Sequence, residues 1–422
     1  MELIMENVRC FAGKHVVPIK PLTILVGENS SGKTTLMAAL SAVCDLRFLL
    51  QPGFNEPPYS LGNFDTIATY NGRSKTSAKY FSLGYVRPDD DQVELVATYR
   101  DDKGQVELIK AECTGGVEFR LTLNETDKTY KLEIYPLDET KIQVLYVKLD
   151  EILEQRHLKS LVDIVATPQD IKKTEPSFLQ GAFALMALIG FIASIQTLSI
   201  APIRTKPKRT YDEFTDRFNP EGDHIPFALA RILGSESAST QRRSLVSALK
   251  RFGAESGLFN DVKAKRLGDN PGDPFQVMVT VAGRPANMVD VGYGVSQALP
   301  VVIQSVLAAE ERLILIQQPE VHLHPKAQAA LGSFFVDMVS DGGKQFVVET
   351  HSDYIVDRVR QEVAAKKISP ESVALLFFEK VGAETTIHNI ALDELGNIVD
   401  APPTYREFFL NEELNLLTRG QR

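Results

Sequence analysis

The chain of 422 residues contains no tryptophan and only three cysteines. Cys10, Cys44 and Cys113 lack the paired spacing of a zinc site and are too few for a disulfide framework, so a reduced, cytoplasmic setting is expected. Sustained heptads, internal repeats and low-complexity tails are also missing, which excludes a long coiled-coil arm. The opening Met1–Asn7 lacks the charged and apolar regions of a secretory leader. Cations are in deficit. The 46 Lys and Arg against 55 Asp and Glu leave a net charge of −9. That opposes indiscriminate nucleic-acid binding by the whole surface but leaves room for a local basic patch. The run from Phe178 to Ile203 is uncharged and long enough to span a bilayer. Gly181, Gly190, Gln180, Gln196 and Pro202 interrupt it, and it reads as a buried helix followed by a buried strand, with no membrane partner expected.

What is present is sharper. Gly27-Glu28-Asn29-Ser30-Ser31-Gly32-Lys33-Thr34 fits the phosphate-binding pattern G-x-x-x-x-G-K-[ST] in full. The apolar run Leu22–Val26 before it reads as a buried strand, and Thr35–Val43 after it reads as a helix. The glycines let backbone N–H groups of Asn29, Ser30, Ser31 and their neighbours close around phosphates, with a helix N-terminus adding its dipole. Lys33 is expected to reach the β- and γ-phosphates, and the Thr34 hydroxyl to ligate Mg²⁺, so ATP and Mg²⁺ are the expected cofactors.

Residues 2–8 and 16–20 read as two short strands leading into this loop. Residues 46–75 look irregular. From Lys79 to about Tyr135 the pattern alternates with period two, in five candidate strands separated by turns such as Asp102-Lys103-Gly104. This predicts an antiparallel meander. Residues 150–196 and 224–260 read as helical, with a basic loop at Pro202–Arg209 between them. From about Phe275 strands alternate with helices, which predicts a parallel sheet. Three segments are expected: 1–145 with the phosphate loop and the meander, 146–270 as a helical insertion with basic loops, and 271–422 closing the α/β lobe.

Three later stretches complete a pattern. Val291-Gly292-Tyr293-Gly294-Val295-Ser296-Gln297 opens a helical run. Leu313–Ile316 is a hydrophobic strand ending in Gln317-Gln318-Pro319-Glu320. Phe346–Val348 is another, ending in Glu349-Thr350-His351-Ser352. In this order they resemble the signature motif, Walker B strand and switch histidine of an ABC-type ATPase head. Gln318-Pro319-Glu320-Val321-His322-Leu323-His324-Pro325, the opening Glu6–Phe11 and the late Asp393–Ile398 resemble more narrowly the AAA15/AAA21-type ATPases of the RecF, SMC and OLD branch. The resemblance covers residues 1–45 and about 285–400 well, and the middle only by general layout.

The resemblance implies an α/β fold: a P-loop ABC-ATPase head with a mixed β sheet, an antiparallel meander lobe and a helical insertion. It implies ATP held between two subunits, in a homodimer or higher homo-oligomer. Gly27, Asn29, Ser30, Ser31, Gly32, Lys33, Thr34 and Thr35 of one chain would face Gly294 and Ser296 of the other. Ser296 also reads as an ordinary helix N-cap, and His322 with His324 as dimer packing rather than a metal pair. Gln317, Gln318, Glu320 and His351 would form the catalytic group, with Thr34 and Gln317 at the metal. Two amides stand where Walker B normally supplies acids, so metal binding and hydrolysis are expected to be weak. Two accounts stay open. Either the protein is a slow ATPase that uses Glu320 or Glu349 as its carboxylate, or Gln317 is an engineered Glu→Gln replacement. No fused effector is evident. By analogy with the ATPase components of anti-phage systems such as Septu and PARIS, the chain would control a separately encoded nuclease or toxin. The alternatives are a RecF-like DNA clamp, using Arg204, Lys206, Lys208 and Arg209 with a second basic group at Arg242–Arg266, and an ATP-sensing scaffold with little hydrolysis. Arg9 and Phe11 are the candidates for stacking on the base.

Overall fold

The computed structural model describes residues 1–407, apart from 46, 50–51, 72–75, 88–92, 116–117, 127, 136–142, 148–195, 213–216, 235–239, 271 and 311, together with residue 414. The helical reading of 150–195 and most of the uncharged run lie outside the described residues. Among those described, no helix is long and apolar enough to cross a membrane. The longest, Thr240–Ser256, has 17 residues, so none of them forms an extended coiled-coil arm. The chain divides into two compact units. One comprises Met1–Ile19, Thr35–Thr197 and Lys380–Thr385. The other comprises Lys20–Thr34, Leu198–Glu379 and Thr386–Arg422.

The first unit is built on an eight-stranded sheet in the order Gln143–Val147, Tyr130–Tyr135, Glu118–Leu123, Gln105–Thr114, Val93–Asp102, Tyr80–Arg87, Glu2–Val8, Phe11–Pro18. Every neighbouring pair is antiparallel. Period-two alternation produces it. Val93, Leu95, Ala97 and Tyr99 are buried, while the residues between them are only partly so. Phe81 lies opposite Tyr99 in the ladder, with ring centroids 5.2 Å apart. The buried Tyr99 hydroxyl donates to the Phe48 carbonyl at 2.9 Å, so the aromatic cluster leaves no polar tip unpaired there. Lys103 and Gly104 both have positive φ, at 56° and 86°, as a tight two-residue hairpin requires. The second strand starts at Phe11, earlier than the pattern suggested. The meander also continues past Tyr135 into Gln143–Val147, whose unbroken apolar run hides the alternation.

The second unit holds most of a seven-stranded sheet in the order Gln196–Ile200, Arg312–Gln317, Gln345–Glu349, Leu22–Gly27, Val373–Val381, Glu384–Leu392, Ile398–Val399. Its centre is parallel: Arg312–Gln317 with Gln345–Glu349, and Leu22–Gly27 with strands on both sides. Leu22, Ile24, Leu313–Ile316 and Phe346–Val348 are all buried, as continuous apolar runs must be in a sheet covered on both faces. Helices Tyr293–Leu307, Pro325–Ser340 and Asp353–Ala364 share that core. The return to strands near Phe275 is antiparallel rather than parallel. Asp261–Arg266, Phe275–Val281 and Arg284–Asn287 form a separate three-stranded sheet. The two residues Ala282 and Gly283, both at positive φ, are too short a link for a parallel crossover.

Candidate active site

Apart from Thr35 and the base-stacking candidates Arg9 and Phe11, every residue singled out for the site lies in the second unit. Leu22–Gly27 delivers the loop. Gly27 has φ 139°, and a Cβ there would stand 2.5 Å from the Phe378 carbonyl oxygen of the paired strand, so only glycine fits. Ser30 and Gly32 also turn through positive φ, at 61° and 96°, and helix begins at Lys33. Asn29 and Ser30 are exposed. Ser31 is buried, and its hydroxyl donates to the Glu28 carbonyl at 2.8 Å. The Lys33 ammonium, 3% exposed, donates to the carbonyls of Gly27 at 2.9 Å and Glu28 at 2.6 Å. Desolvation lowers its pKa, and the charges of Glu349, Glu28 and Glu320 oppose that shift. Thr35 belongs to the first unit, where it is buried and its hydroxyl accepts from Arg9 at 3.4 Å.

Two adjacent strands end at this loop's level. Gln317 and Glu349 are direct partners in the parallel ladder. The Thr34 hydroxyl lies 3.2 Å and 3.0 Å from the two carboxylate oxygens of Glu349, and donates to that carboxylate. The Gln317 amide donates to the same carboxylate at 3.4 Å. The carboxylate that faces Thr34 therefore comes from the strand next to Walker B. Glu349 is buried and accepts from the Thr34 hydroxyl and the Gln317 amide N–H; its carboxylate and that hydroxyl are oxygens suited to a hard cation such as Mg²⁺. Among the described residues no cluster of three or more His, Cys, Asp or Glu is close enough to hold a metal by itself. Any Mg²⁺ would thus need phosphate oxygens as well.

Beyond Gln317 the chain turns sharply. Gln318 has φ 43°, and its N–H donates to the Glu349 carbonyl at 2.8 Å, locking the two strand ends together. The turn presents Glu320, whose Oε1 accepts from the His351 backbone N–H at 2.7 Å. Partial desolvation and then the charge of Lys33 hold the His351 imidazole below its ordinary pKa, against Glu320 and Glu349. Glu320 and His351, read separately from sequence, meet here.

The signature segment differs in detail from its sequence reading. Helix starts at Tyr293 with Gly292 as N-cap, so Ser296 is not a cap. It is 4% exposed, and its hydroxyl donates to the Tyr293 carbonyl at 2.9 Å. Gly294 packs where a Cβ would come 3.3 Å from the His322 carbonyl. His324 is itself an N-cap, accepting from the Lys326 N–H at 3.3 Å. Phe11 is fully buried and cannot stack on a base. Three of Arg9's hydrogen bonds go to the Ser60, Leu61 and Thr66 carbonyls. Of the basic loop, Arg204 is buried, while Lys206, Lys208 and Arg209 are exposed, Arg209 being ion-paired with Asp290 at 2.5 Å.

Parts of the chain match known families. Residues 191–356 match the AAA ATPase domain family AAA_15, and residues 2–197 match the AAA domain family AAA_23. The OLD nuclease of Thermus scotoductus is 22% identical over 369 residues, covering 85% of this chain. The chain spans 60% of that relative's length. Among solved structures, an SMC head bound to the C-terminal winged-helix domain of ScpA is 12% identical, with a TM-score of 0.44, over 93% of this chain and 98% of the other. The SMC head of Thermotoga maritima is 11% identical, with a TM-score of 0.38, over the same shares. Two parts of the chain are thus similar to AAA-type ATPase domains, and the phosphate loop lies within the AAA_23 match.

Proposed function

We propose that the chain binds MgATP at the carboxyl ends of its parallel strands and hydrolyses it slowly, with Glu349 in place of the missing Walker B acid. The contact of Thr34 with Glu349 carries this reading, because it brings the phosphate loop's metal-binding hydroxyl against a buried carboxylate. Lys33 would exchange its carbonyl partners Gly27 and Glu28 for phosphate oxygens. Thr34 and Glu349 would hold Mg²⁺, which supplies charge neutralisation at the phosphates. Gln317 orients Glu349 through its amide. Gln318, lacking a carboxylate, cannot take a proton, and the role of base falls instead to the adjacent pair Glu320 and His351. On this reading slow turnover would need no engineered change at Gln317.

Beyond the single chain, ATP would join two copies, with Gly294 and Ser296 of one facing the loop of the other. The assembly would control a separately encoded effector, a nuclease or toxin of anti-phage defence, in a cytoplasmic setting. Resemblance to stand-alone ATPase subunits supports that context. A second reading, DNA binding, rests on the exposed Arg243, Lys250 and Lys265 and predicts binding that falls steeply with salt. The test is ATP turnover and assembly size with and without Mg²⁺, for the chain and for Gln317→Glu. Slow Mg²⁺-dependent turnover with ATP-dependent assembly is expected. Tight ATP binding without turnover in either form would make the protein an ATP-gated scaffold.

A further inference from the structure

The site contains a cation that the reading above does not use. Arg204 follows the edge strand Gln196–Ile200, the neighbour of Arg312–Gln317. It is 3% exposed. Its Nη2 donates to the carbonyl oxygens of Gln317 at 3.1 Å and Gln318 at 3.2 Å. These are the carbonyls at the carboxyl end of the Walker B strand, the side of a parallel sheet on which ligands gather. Its Nε and Nη1 are buried and have no hydrogen-bond partner, and neither does Oε2 of Glu320. Desolvation pulls the Arg204 pKa down to about 10, and Glu320 is the charge that opposes this. The guanidinium still carries its proton at neutral pH. Glu320 also acts on Lys33 and His351, so all four groups share one electrostatic neighbourhood.

A buried guanidinium with two unspent donors is unfavourable until an anion meets it. Lys33 already serves the phosphates from the loop side. The carbonyl clamp fixes Arg204 at the carboxyl end of the Walker B strand, with one nitrogen spent and two in reserve. A planar fork held in this way suits phosphate oxygens better than a lysine would.

We propose that Arg204 is a specificity-determining residue that recognises the terminal phosphate of ATP, a group ADP lacks. The proposal rests on the reading of this site as an ATP site. It predicts that Arg204 contributes to the preference for triphosphate over diphosphate rather than to nucleotide binding in general.

The test is calorimetric binding of the non-hydrolysable analogue AMP-PNP and of ADP, in the presence of Mg²⁺, to the full chain and to Arg204→Gln, Arg204→Lys and Glu320→Gln. Melting temperatures without nucleotide serve as the folding control. The full chain should prefer AMP-PNP. Arg204→Gln should lose about 10- to 100-fold in AMP-PNP affinity, the range for one charge-assisted bond, with ADP affinity unchanged. Arg204→Lys should recover part of the preference, and Glu320→Gln should keep it. Equal weakening of both nucleotides by Arg204→Gln would overturn the proposal, since Arg204 would then only brace the Gln317–Gln318 turn. The same loss in Glu320→Gln would also overturn it, because Arg204 would be acting through that carboxylate. Should Arg204→Gln fail to fold, Arg204→Lys decides: an unchanged preference for AMP-PNP overturns the proposal. If the full chain binds neither nucleotide, the reading of the site as an ATP site fails, and the proposal with it.

Discussion

Two neighbouring strand ends carry opposite chemistry. Arg312–Gln317 runs out into two amides, Gln317 and Gln318. Gln345–Glu349, hydrogen-bonded beside it, runs out into a carboxylate, a hydroxyl and an imidazole at Glu349, Thr350 and His351. Gln317 and Glu349 occupy the same rung of the ladder, and Thr34 bonds to the second of them. Strands in a sheet are about 4.8 Å apart, so a carboxylate moved sideways by one strand stays within reach of the same metal site. Loss of acid from a motif is therefore not loss of acid from a site.

The comparison can be broken most directly at the loop both strand ends serve. Lys33→Ala should lower ATP affinity about 100-fold by calorimetry, because it removes the buried ammonium that faces the phosphates. Glu349→Gln should come next. It leaves two amides side by side, and Mg²⁺ should then improve ATP binding about 10-fold less than in the unaltered chain, while metal-free binding stays unchanged. Gln317→Glu sharpens the contrast from the other side. It sets a second carboxylate against Glu349, so the metal-free protein should melt lower and Mg²⁺ with ATP should restore it, as like charges repel until a cation joins them. A smaller effect is expected at His351. Its folded pKa is lowered, so the folded form resists protonation. Stability should be complete above the unfolded value of about 6.5 and decline as pH falls through it, a slope that His351→Gln should flatten. Arg209→Gln should change melting least of all, since its pair with Asp290 is exposed to solvent.

The parts of the site that depend on local sequence were readable from it. Gly27–Thr34 needs only a strand, a glycine-rich turn and a helix in succession, and each leaves its own residue pattern. The meander was equally plain, because alternation at Val93–Tyr99 records one buried face. Register was not readable. Glu349 stood out as a candidate carboxylate, but only the ladder rung it shares with Gln317 brings it to Thr34. The sharp turn at Gln318, with φ 43°, is likewise set by the bond from its N–H to the neighbouring strand. Arg204 was hidden for another reason. Arginine in a loop rich in Lys and Pro looks like solvated surface, and its burial comes from carbonyls more than 110 residues away in sequence. The N-cap reading of Ser296 failed because helix begins three residues earlier, at Tyr293, without a side-chain cap to mark it.

The most direct measurement is the Mg²⁺ dependence of ATP binding and turnover in the unaltered chain and in Glu349→Gln, compared at equal protein concentration. With Glu349 as the metal-side carboxylate, Mg²⁺ should strengthen binding and permit slow turnover in the unaltered chain, and both effects should be largely lost in Glu349→Gln. Equal Mg²⁺ dependence in the two proteins would contradict the assignment and return the metal to the amides of Gln317 and Gln318.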